Sequence, residues 1–337
     1  MKKAPTIQDV AKQAGVSIAT VSRYINHTSF VDSGKAQRIK AAIEDLEFVP
    51  NSMARGLKNN RTNQIYFVVP DICNPFYSTA YKAIQKISAS NGFMVCLYNT
   101  NDLEDEESNV IKFFQQSNAG GLIFCSTYDR KNILAQLDSL QVPIIMSNAF
   151  GCSKFDTVHS LPGQGLYLTT MHHIKNGHKS IAYVGGSADS VLNKRRKSGC
   201  IRALEESHLH LHRELCFEMD FTIDCGYKAG KYFYSILDKV TAFSCANDLI
   251  AIGLMQALCE NGVSIPKDVS IAGMDDIEYA ALCRPSLTTV SNNSTYFGEQ
   301  AATMLFDRIL GRYSGPAREI VNERTLVVRG STGVFAY

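Results

Sequence analysis

Two short helical segments joined by one tight turn, over residues 6–26, constrain the fold of this chain more than any other stretch. Thr6 is suited to cap the first segment, Asp9 completes a capping box, and Gly15 ends the segment because glycine adopts positive φ without a clash. Apolar residues at helical spacing give each segment one buried face, formed by Ile7, Val10, Ala11, Ala14, Val21 and Ile25. The pattern predicts either an ordinary αα-hairpin or a helix-turn-helix whose second helix enters the DNA major groove.

The second segment begins after Ser17 and carries no acidic side chain on its outer face. Its outward residues are Ile18, Ala19, Thr20, Ser22, Arg23 and Asn26. Arg23 suits a phosphate or guanine contact, whereas Ile18 and Ala19 are apolar and would sense thymine methyl groups. Together with Ser17 and Thr6, these residues are the candidate DNA contacts of the helical region.

A third helix is predicted over residues 34–46, and a short segment follows it. Pro50 suits the first turn of a helix, because its missing N–H costs nothing there. Leu57 has no local core, so it is either a wedge between base pairs in the minor groove or a stray leucine in a linker. If the segment is a hinge helix on DNA, its candidate contacts are Met53, Ala54, Leu57 and Lys58.

Charge is distributed unevenly along the 337 residues, although the formal net charge is only +2. Residues 1–62 hold ten Lys or Arg against five Asp or Glu, a net charge of +5. The remainder holds 24 against 27, a net charge of −3. A basic end on a mildly acidic body is typical of a tethered nucleic-acid binder.

After residue 62, apolar strands alternate with helices in two successive series. Strands are predicted at 65–70, 93–98, 122–125, 144–147, 180–184, 217–219, 242–245, 269–272 and 326–329, and helices at 75–90, 163–176, 194–207, 225–238 and 248–261. Such βαβ series form parallel sheets covered by helices, so the pattern predicts two similar doubly wound α/β lobes. Ligands of open parallel sheets bind at the carboxyl ends of the strands, which indicates a cleft between the lobes.

Three strings, Thr20-Val21-Ser22-Arg23, Phe48-Val49-Pro50-Asn51 and Ala54-Arg55-Gly56-Leu57, carry a resemblance to a known family. Residues 6–58 resemble the headpiece and hinge of the LacI/GalR family of bacterial transcription regulators, and the body resembles the family's periplasmic-binding-protein-like core. The resemblance implies a helix-turn-helix headpiece over 1–50, a hinge helix and linker over 51–62, and an effector-binding and dimerisation core over 63–337. It implies a first lobe of about 63–161 and 293–322, and a second of about 162–292 and 323–337.

The resemblance also implies which strand-end residues bind an effector: Phe76, Ser126, Asn148, Arg196, Phe221, Asn247 and Asp275. Planar polar side chains that grip hydroxyls, together with aromatic faces, suit a sugar, which is the preferred class. Arg196 could instead form a surface ion pair, and the two phenylalanines could be plain core or could stack on a purine. The chain departs from the family's pattern at Asn148, His159-Ser160 and Met274, and these departures bear on the ligand and not on the fold.

Other function classes lack their sequence signals. The chain has neither G-x-G-x-x-G after its first strand nor G-x-x-x-x-G-K-[ST], and no G-x-S-x-G, so no enzyme is predicted. The ten cysteines form no C-x-x-C pair. The alternating histidines at 208–212 fit either a stray divalent ion or a solvated loop, and no metal or cofactor is expected.

No apolar run approaches the roughly 20 residues of a membrane span, and no signal peptide precedes the first helix. These features favour a cytoplasmic, nucleoid-associated bacterial protein over an exported binding protein. The resemblance implies a homodimeric repressor that binds a palindromic double-stranded DNA operator under the control of a small effector, preferably a sugar. The alternatives are a purine or sugar-phosphate effector, or a ligand-binding protein without a regulatory role. No leucine heptads follow the last strand, which favours a dimer over a tetramer.

Overall fold

The computed structural model describes residues 5–26, 29–48, 62–147, 154–161 and 163–335. The contacts between residues divide the chain into two compact units, Met1–Thr62 and Asn63–Tyr337. The described residues of the first unit up to Phe48 form helices, and the second unit contains parallel sheets covered by helices.

Three helices pack around a small apolar core in the first unit: α1 (Ile7–Ala14), α2 (Ile18–Asn26) and α3 (Ser33–Asp45). The core takes side chains from all three helices and from the residue that follows them: Val10, Ala11, Ala14, Val21, Ile39, Ala42 and Phe48. Each helix buries one face because its apolar residues recur at helical spacing.

Local hydrogen bonds fix the ends of α1 and the start of α2. The side chain of Thr6 accepts from the backbone N–H of Asp9, while the Asp9 carboxylate accepts from the backbone N–H of Thr6, which confirms the capping box. Gly15 ends α1 with φ of +63°, the left-handed conformation that favours glycine. The backbone N–H of Thr20 donates to Ser17 Oγ at 3.2 Å. Only residues 15–17 therefore separate the two helices.

The second unit alternates strands and helices. Its described strands are β1 (Thr62–Val69), β2 (Met94–Asn99), β3 (Ala119–Cys125), β4 (Ile144–Ser147), β5 (Asp156–His159), β6 (Ile181–Gly185), β7 (Cys216–Glu218), β8 (Ala242–Cys245), β9 (Ser270–Ala272), β10 (Thr289–Ser291), β11 (Glu319–Val321) and β12 (Thr325–Val327). Its described α-helices are α4 (Pro75–Ser90), α5 (Glu104–Ser117), α6 (Lys131–Asp138), α7 (Gln164–Lys175), α8 (Val191–Glu206), α9 (Ile223–Tyr234), α10 (Asp248–Glu260), α11 (Glu278–Leu282) and α12 (Ser294–Ile309). The His208–His212 run lies between α8 and a short 3₁₀ turn at Arg213–Leu215.

These strands form two parallel sheets and one short antiparallel pair. The first sheet has the order β11-β5-β4-β3-β1-β2, and the second has the order β7-β6-β8-β9. The pairs β1–β2, β3–β4, β4–β5 and β5–β11 are parallel, as are the pairs of the second sheet. β10 pairs antiparallel with β12. We call each parallel sheet with its helices a lobe. The two parallel sheets with their helices confirm the predicted architecture of two doubly wound lobes.

Helices cover both faces of the first sheet. One face packs against α4 and α12 through a cluster that includes Phe67, Ile84 and Leu305. The other face packs against α5 and α6 through a cluster that includes Phe124 and Phe114. All of β3 and β4 is buried, as expected of central parallel strands with both faces covered.

The segment from α12 to β11 belongs to the first lobe, although it follows the second lobe in sequence. α12 packs against α4, and β11 pairs with β5. The chain therefore passes between the lobes after β5, after β10 and after β11. Within the described part of the chain, no helix combines the length and the apolar character that crossing a bilayer requires.

Candidate functional site

α2 presents the candidate DNA-contacting surface of the first unit. Its predicted contacts are exposed or half-buried: Ser17, Ile18, Ala19, Thr20, Ser22 and Arg23. Ile18 leaves 45% of its surface exposed, whereas Val21, which faces the core of the first unit, is fully buried. The hydroxyls of Ser17 and Thr20 lie 2.8 Å apart and orient each other. Thr6 is also exposed, at the start of α1.

Several predicted DNA contacts lie outside the described residues. They belong to residues 49–61 and are Met53, Ala54, Leu57 and Lys58. Asn26 closes α2, but its side chain is not among those described.

A cleft opens between the two lobes of the second unit. It lies at the carboxyl ends of parallel strands, where open α/β sheets bind their ligands. The predicted effector residues that line it are Phe76, Arg196, Phe221, Asn247 and Asp275. Asn148 lies outside the described residues.

Arg196, on α8, lines the cleft from the second lobe. Its Nη1 donates to the carbonyl of Ala246 at 2.7 Å, and its Nη2 lies 3.6 Å from Asp275 Oδ1. The guanidinium carbon lies 5.3 Å from the centroid of the Phe221 ring, which adds a cation–π contact. Arg196 is 8% exposed, so it is a buried cleft residue and not half of a surface ion pair.

Asp275 is buried and lies in an unusual backbone conformation. Its φ is +114°, which an L-residue rarely adopts, and such strain concentrates at functional sites. Burial raises the pKa of Asp275, while the guanidiniums of Arg196 and Arg324 oppose that shift. Its Oδ1 also accepts from Asn292 Nδ2 at 3.3 Å.

Asn247 caps α10 and holds the wall of the cleft in place. Its Oδ1 accepts from the backbone N–H of Ile250 at 2.9 Å, and its Nδ2 donates to the carbonyl of Phe221 at 3.0 Å. Gly186 leaves room for the Phe221 ring, because a Cβ at position 186 would lie 2.5 Å from two ring carbons. The position of Phe221 therefore depends on two neighbours that the sequence does not bring together.

Phe76 supplies an aromatic side chain from the first lobe. The side chain of Asn74 accepts from its backbone N–H at 3.0 Å and caps α4. The Phe76 ring packs against Tyr77 and Phe297, with centroids 5.1 and 5.6 Å away. Because Phe76 is only half-buried, it is both a packing residue and a lining residue of the cleft.

The prediction for Ser126 needs correction, because its side chain turns away from the cleft. Its Oγ donates to Glu107 Oε1 at 2.7 Å, in a separate, smaller pocket. The next residue, Thr127, lines the cleft instead. Successive residues of an extended chain point to opposite sides, so an error of one position reverses the direction of the side chain.

Further polar residues line the cleft that were not among the predicted effector contacts: Asp102, Thr127, His159, Ser160, Asn292, Asn322 and Arg324. Of these, His159-Ser160 was noted in the sequence as a departure from the family's pattern. Ser160, Asn292 and Asn322 directly follow a strand, which is the signal that could have identified them. Asp102 accepts from Thr127 Oγ1 at 2.9 Å, and burial raises its pKa to about 6. His159 pairs through Nε2 with Glu319 of β11.

The lobes also contact each other at the edge of the cleft. The carbonyl of Thr127 accepts from the backbone N–H of Leu192 and from Ser190 Oγ, both at 3.1 Å. Arg195 Nη2 lies 3.4 Å from Asp129 Oδ2. These contacts join the segment after β3 to the start of α8.

Among the described side chains, no group of three or more His, Cys, Asp or Glu is arranged to hold a metal ion. The cleft is instead built from amides, hydroxyls, carboxylates, guanidiniums and aromatic rings. Such groups bind an organic ligand by hydrogen bonding and stacking.

Comparison with known proteins agrees with this division into two units. The family of bacterial regulatory proteins named lacI matches residues 6–51, and the periplasmic binding protein-like domain matches residues 170–332. The chain is 33% identical over 335 residues to the HTH-type transcriptional repressor PurR of Mannheimia succiniciproducens, covering 98% of this chain and 99% of the relative.

Solved structures extend the similarity to the whole fold. The complex of the transcriptional regulator CelR with cellobiose superposes with a TM-score of 0.73 at 27% identity, covering 97% of this chain and 99% of the other. The lac repressor dimer bound to operator and the anti-inducer ONPF superposes with a TM-score of 0.88, covering 98% and 100%, and its 24% identity supports the fold alone. The chain therefore belongs to the lacI family of bacterial regulatory proteins and is a DNA-binding transcription regulator.

Proposed function

We propose that this regulator represses transcription by binding a palindromic operator as a homodimer, and that a small effector in the cleft controls its affinity for DNA. The observation that carries this proposal is the combination of an exposed, acid-free α2 in one unit with a polar, aromatic-lined cleft in the other. In this proposal residues 1–50 form the DNA-binding headpiece, residues 51–62 the hinge, and residues 63–337 the effector-binding and dimerisation core.

The DNA-binding part of the proposal depends on the outward face of α2. Arg23 provides a charge for phosphate or guanine, while Ile18 and Ala19 offer small apolar surfaces to base edges. One short helix contacts too little DNA for tight, specific binding, so two copies of the chain must act together. A two-fold dimer reads a site with matching two-fold symmetry, which is a palindrome.

The control step depends on the position of the cleft between two lobes. A ligand there contacts Phe76 of the first lobe and Arg196 and Phe221 of the second, so its affinity depends on the angle between the lobes. By linkage, a ligand that prefers one angle increases the population of that angle. The change reaches DNA if the paired first lobes of a dimer hold the two hinges at a distance that depends on this angle.

A carbohydrate is the first candidate effector class. Asp275, Asn292 and Asn322 line the cleft, where their amide and carboxylate groups suit vicinal hydroxyls, and the aromatic rings suit a sugar face. The CelR structure, which contains cellobiose, shares the fold at 27% identity. A purine is the second candidate, and the relatives favour it, because the 33% identical relative is the transcriptional repressor named PurR.

Isothermal titration calorimetry of the full chain against sugars, sugar phosphates and purine bases tests the effector classes. We expect one class to bind and to lose its binding in Asp275→Ala, while Asp238→Ala, at an exposed position outside the cleft, retains it. Binding of purines alone would rule out the carbohydrate class and leave the regulator intact.

Selection of bound sequences from random duplex DNA tests the DNA-binding part separately. We expect a palindromic site to be enriched, and the ligand from the calorimetric screen to change the affinity for it. If no sequence is enriched with or without that ligand, the repressor function is wrong.

A further inference from the structure

Two guanidinium groups line the cleft beside a single carboxylate. Arg196 lies on α8, and Arg324 follows β11, where the chain returns to the second lobe. Both lie close enough to Asp275 to influence its charge, and Asp275 forms an ion pair with Arg196. Two cations and one anion leave this cluster with one positive charge in excess.

Arg324 has few acceptors for its N–H groups. Its Nη1 donates to Sδ of Met274 at 3.0 Å, and a thioether is a weak acceptor. Its Nε is buried without a hydrogen-bond partner. Among the described residues, the ion pairs of the cleft include Arg196 with Asp275 but none with Arg324. Burial, and next the neighbouring Arg196, lower the pKa of Arg324 to about 9, and the carboxylate of Asp275 opposes this shift only in part.

Arg196 is also incompletely paired. Its Nη1 bonds to a carbonyl, but its Nη2 lies 3.6 Å from Asp275, which is long for a charge-assisted hydrogen bond. Its Nε, like that of Arg324, is buried without a partner. Buried guanidinium N–H groups left without acceptors are costly, so two such groups in one cleft indicate that an acceptor is supplied from outside the chain.

The other charged groups of the cleft are already engaged. Asp102 accepts from Thr127, and Asp71 accepts from the backbone N–H of Cys73 at 2.9 Å. Both lie on first-lobe loops that follow β2 and β1. Asp275 is the carboxylate that acts on the charge of Arg324, and it is shared with Arg196.

The fold makes specific room for Arg324. A Cβ at Gly165 would lie 2.7 Å from Arg324 Nη1 and 2.5 Å from Met274 Sδ. With glycine at this position, α7 approaches the guanidinium closely, and a larger residue would require the Arg324 and Met274 side chains to shift. The arginine is therefore built into the wall of the cleft.

We infer that the effector carries an anionic group, a carboxylate or a phosphate ester, which binds to the guanidiniums of Arg196 and Arg324. Guanidinium groups match both oxyanions in charge and in the spacing of their N–H groups. The inference rests on the proposed function and names the ligand chemistry of the same cleft. It holds for an acidic or phosphorylated sugar and for a purine nucleotide, and it excludes a neutral sugar or a free purine base as the physiological ligand.

Inorganic phosphate is the first probe, with the melting temperature of the full chain followed against sodium chloride at matched ionic strength. We expect phosphate to raise the melting temperature of the wild type and of Arg312→Gln, a control at an exposed arginine. In Arg324→Gln the apparent phosphate dissociation constant should be at least about tenfold weaker, because one of the two cations is lost. Arg324→Lys retains the charge and should recover part of the effect even if Arg324→Gln folds poorly. Equal phosphate responses in the wild type, Arg324→Gln and Arg312→Gln would overturn the inference.

Matched ligand pairs are the second probe. Calorimetry compares glucose with glucuronate and glucose 6-phosphate, ribose with ribose 5-phosphate, and guanine with guanosine monophosphate. We expect the anionic member of a binding pair to bind at least about tenfold more tightly to the wild type, and this preference to disappear in Arg324→Gln. A preference for carboxylate or for phosphate identifies the oxyanion, and equal or tighter binding of the neutral member refutes the inference. If no pair binds, the phosphate titration decides.

Failure of this inference and failure of the proposed function give different results. The selection of DNA sequences by the wild type tests the regulator and does not depend on Arg324. Specific DNA binding without any preference for anions would leave the regulator intact and refute only the anionic effector.

Discussion

Asp156 accepts two hydrogen bonds from the guanidinium of Arg308, at 2.6 and 2.7 Å. The carboxylate begins β5 and the arginine lies near the end of α12, 152 positions later in the chain. Arg318 adds a hydrogen bond from its backbone N–H at 2.8 Å and one from Nη2 at 3.1 Å. Asp156 is 1% exposed. This buried carboxylate therefore holds the segment from α12 to β11 against the first lobe through ion pairs.

Removing the charge of Asp156 should therefore destabilise the first lobe. We expect Asp156→Asn to lower the free energy of unfolding by about 3–5 kcal/mol, because two arginines lose their anionic partner. Urea denaturation measures the change. The matched control is Asp138→Asn, whose carboxylate pairs with Lys154 at an exposed site and should contribute less than about 1 kcal/mol. Equal losses in the two variants would contradict this role.

The raised pKa of the Asp102 carboxyl should lower the free energy of unfolding as the pH rises. Burial is the largest cause that raises its pKa to about 6, a hydrogen bond from Thr127 opposes the shift, and Glu107 adds to it. The folded protein therefore binds this proton more tightly than the unfolded chain, whose aspartate pKa is about 3.9. The contribution is complete below about pH 4 and is lost as the pH rises through 6.

We accordingly compare the free energy of unfolding of Asp102→Asn with that of the wild type at two pH values. We expect the difference in favour of the variant to be about 1–3 kcal/mol larger at about pH 8 than at about pH 4.5. Urea unfolding at both pH values measures this difference. Asp105→Asn, an exposed change on α5, should show no such gain. If the difference in unfolding free energy between Asp102→Asn and the wild type is the same at both pH values, the carboxyl of Asp102 does not titrate in this range.

The position of the Phe221 ring in the cleft should depend on the size of the residue at position 186. We expect Gly186→Ala to displace the ring, because the new Cβ would lie 2.5 Å from two ring carbons. Such overpacking costs about 1–3 kcal/mol of stability and should weaken the ligand found by the calorimetric screen by about tenfold or more. In the control Gly330→Ala, the new Cβ would meet its nearest atoms at 3.4 Å. Unchanged ligand affinity in Gly186→Ala would remove Phe221 from the binding site.

Arg23 should carry much of the operator affinity of α2. We expect Arg23→Ala to weaken operator binding by about tenfold or more and to reduce its dependence on salt. Fluorescence anisotropy with the selected operator at two salt concentrations measures both effects. Lys40→Ala removes an exposed cation from α3 and should change the affinity much less, while neither variant should alter ligand binding. Equal effects of the two changes would indicate that only total charge matters.

Local features were predicted well because they depend on neighbours in sequence. The capping pair Thr6–Asp9, the turn at Gly15 and the bounds of α4 and β4 agree with the structure. Each follows from helical spacing, a cap or an apolar run within about 16 residues. The direction of a side chain just beyond a strand does not follow from such rules, which is why Ser126 was predicted in place of Thr127.

The sequence by itself determined a helical unit with an acid-free second helix and an α/β body, because periodicity, caps and charge are carried by adjacent residues. Only the tertiary structure decided which residues meet in the cleft. Arg324 joins Arg196 and Asp275 because the chain passes between the lobes after β5, β10 and β11, and so brings together side chains far apart in sequence. The physical reason is that burial and pairing of charge depend on distance in space, and the crossings between lobes set those distances.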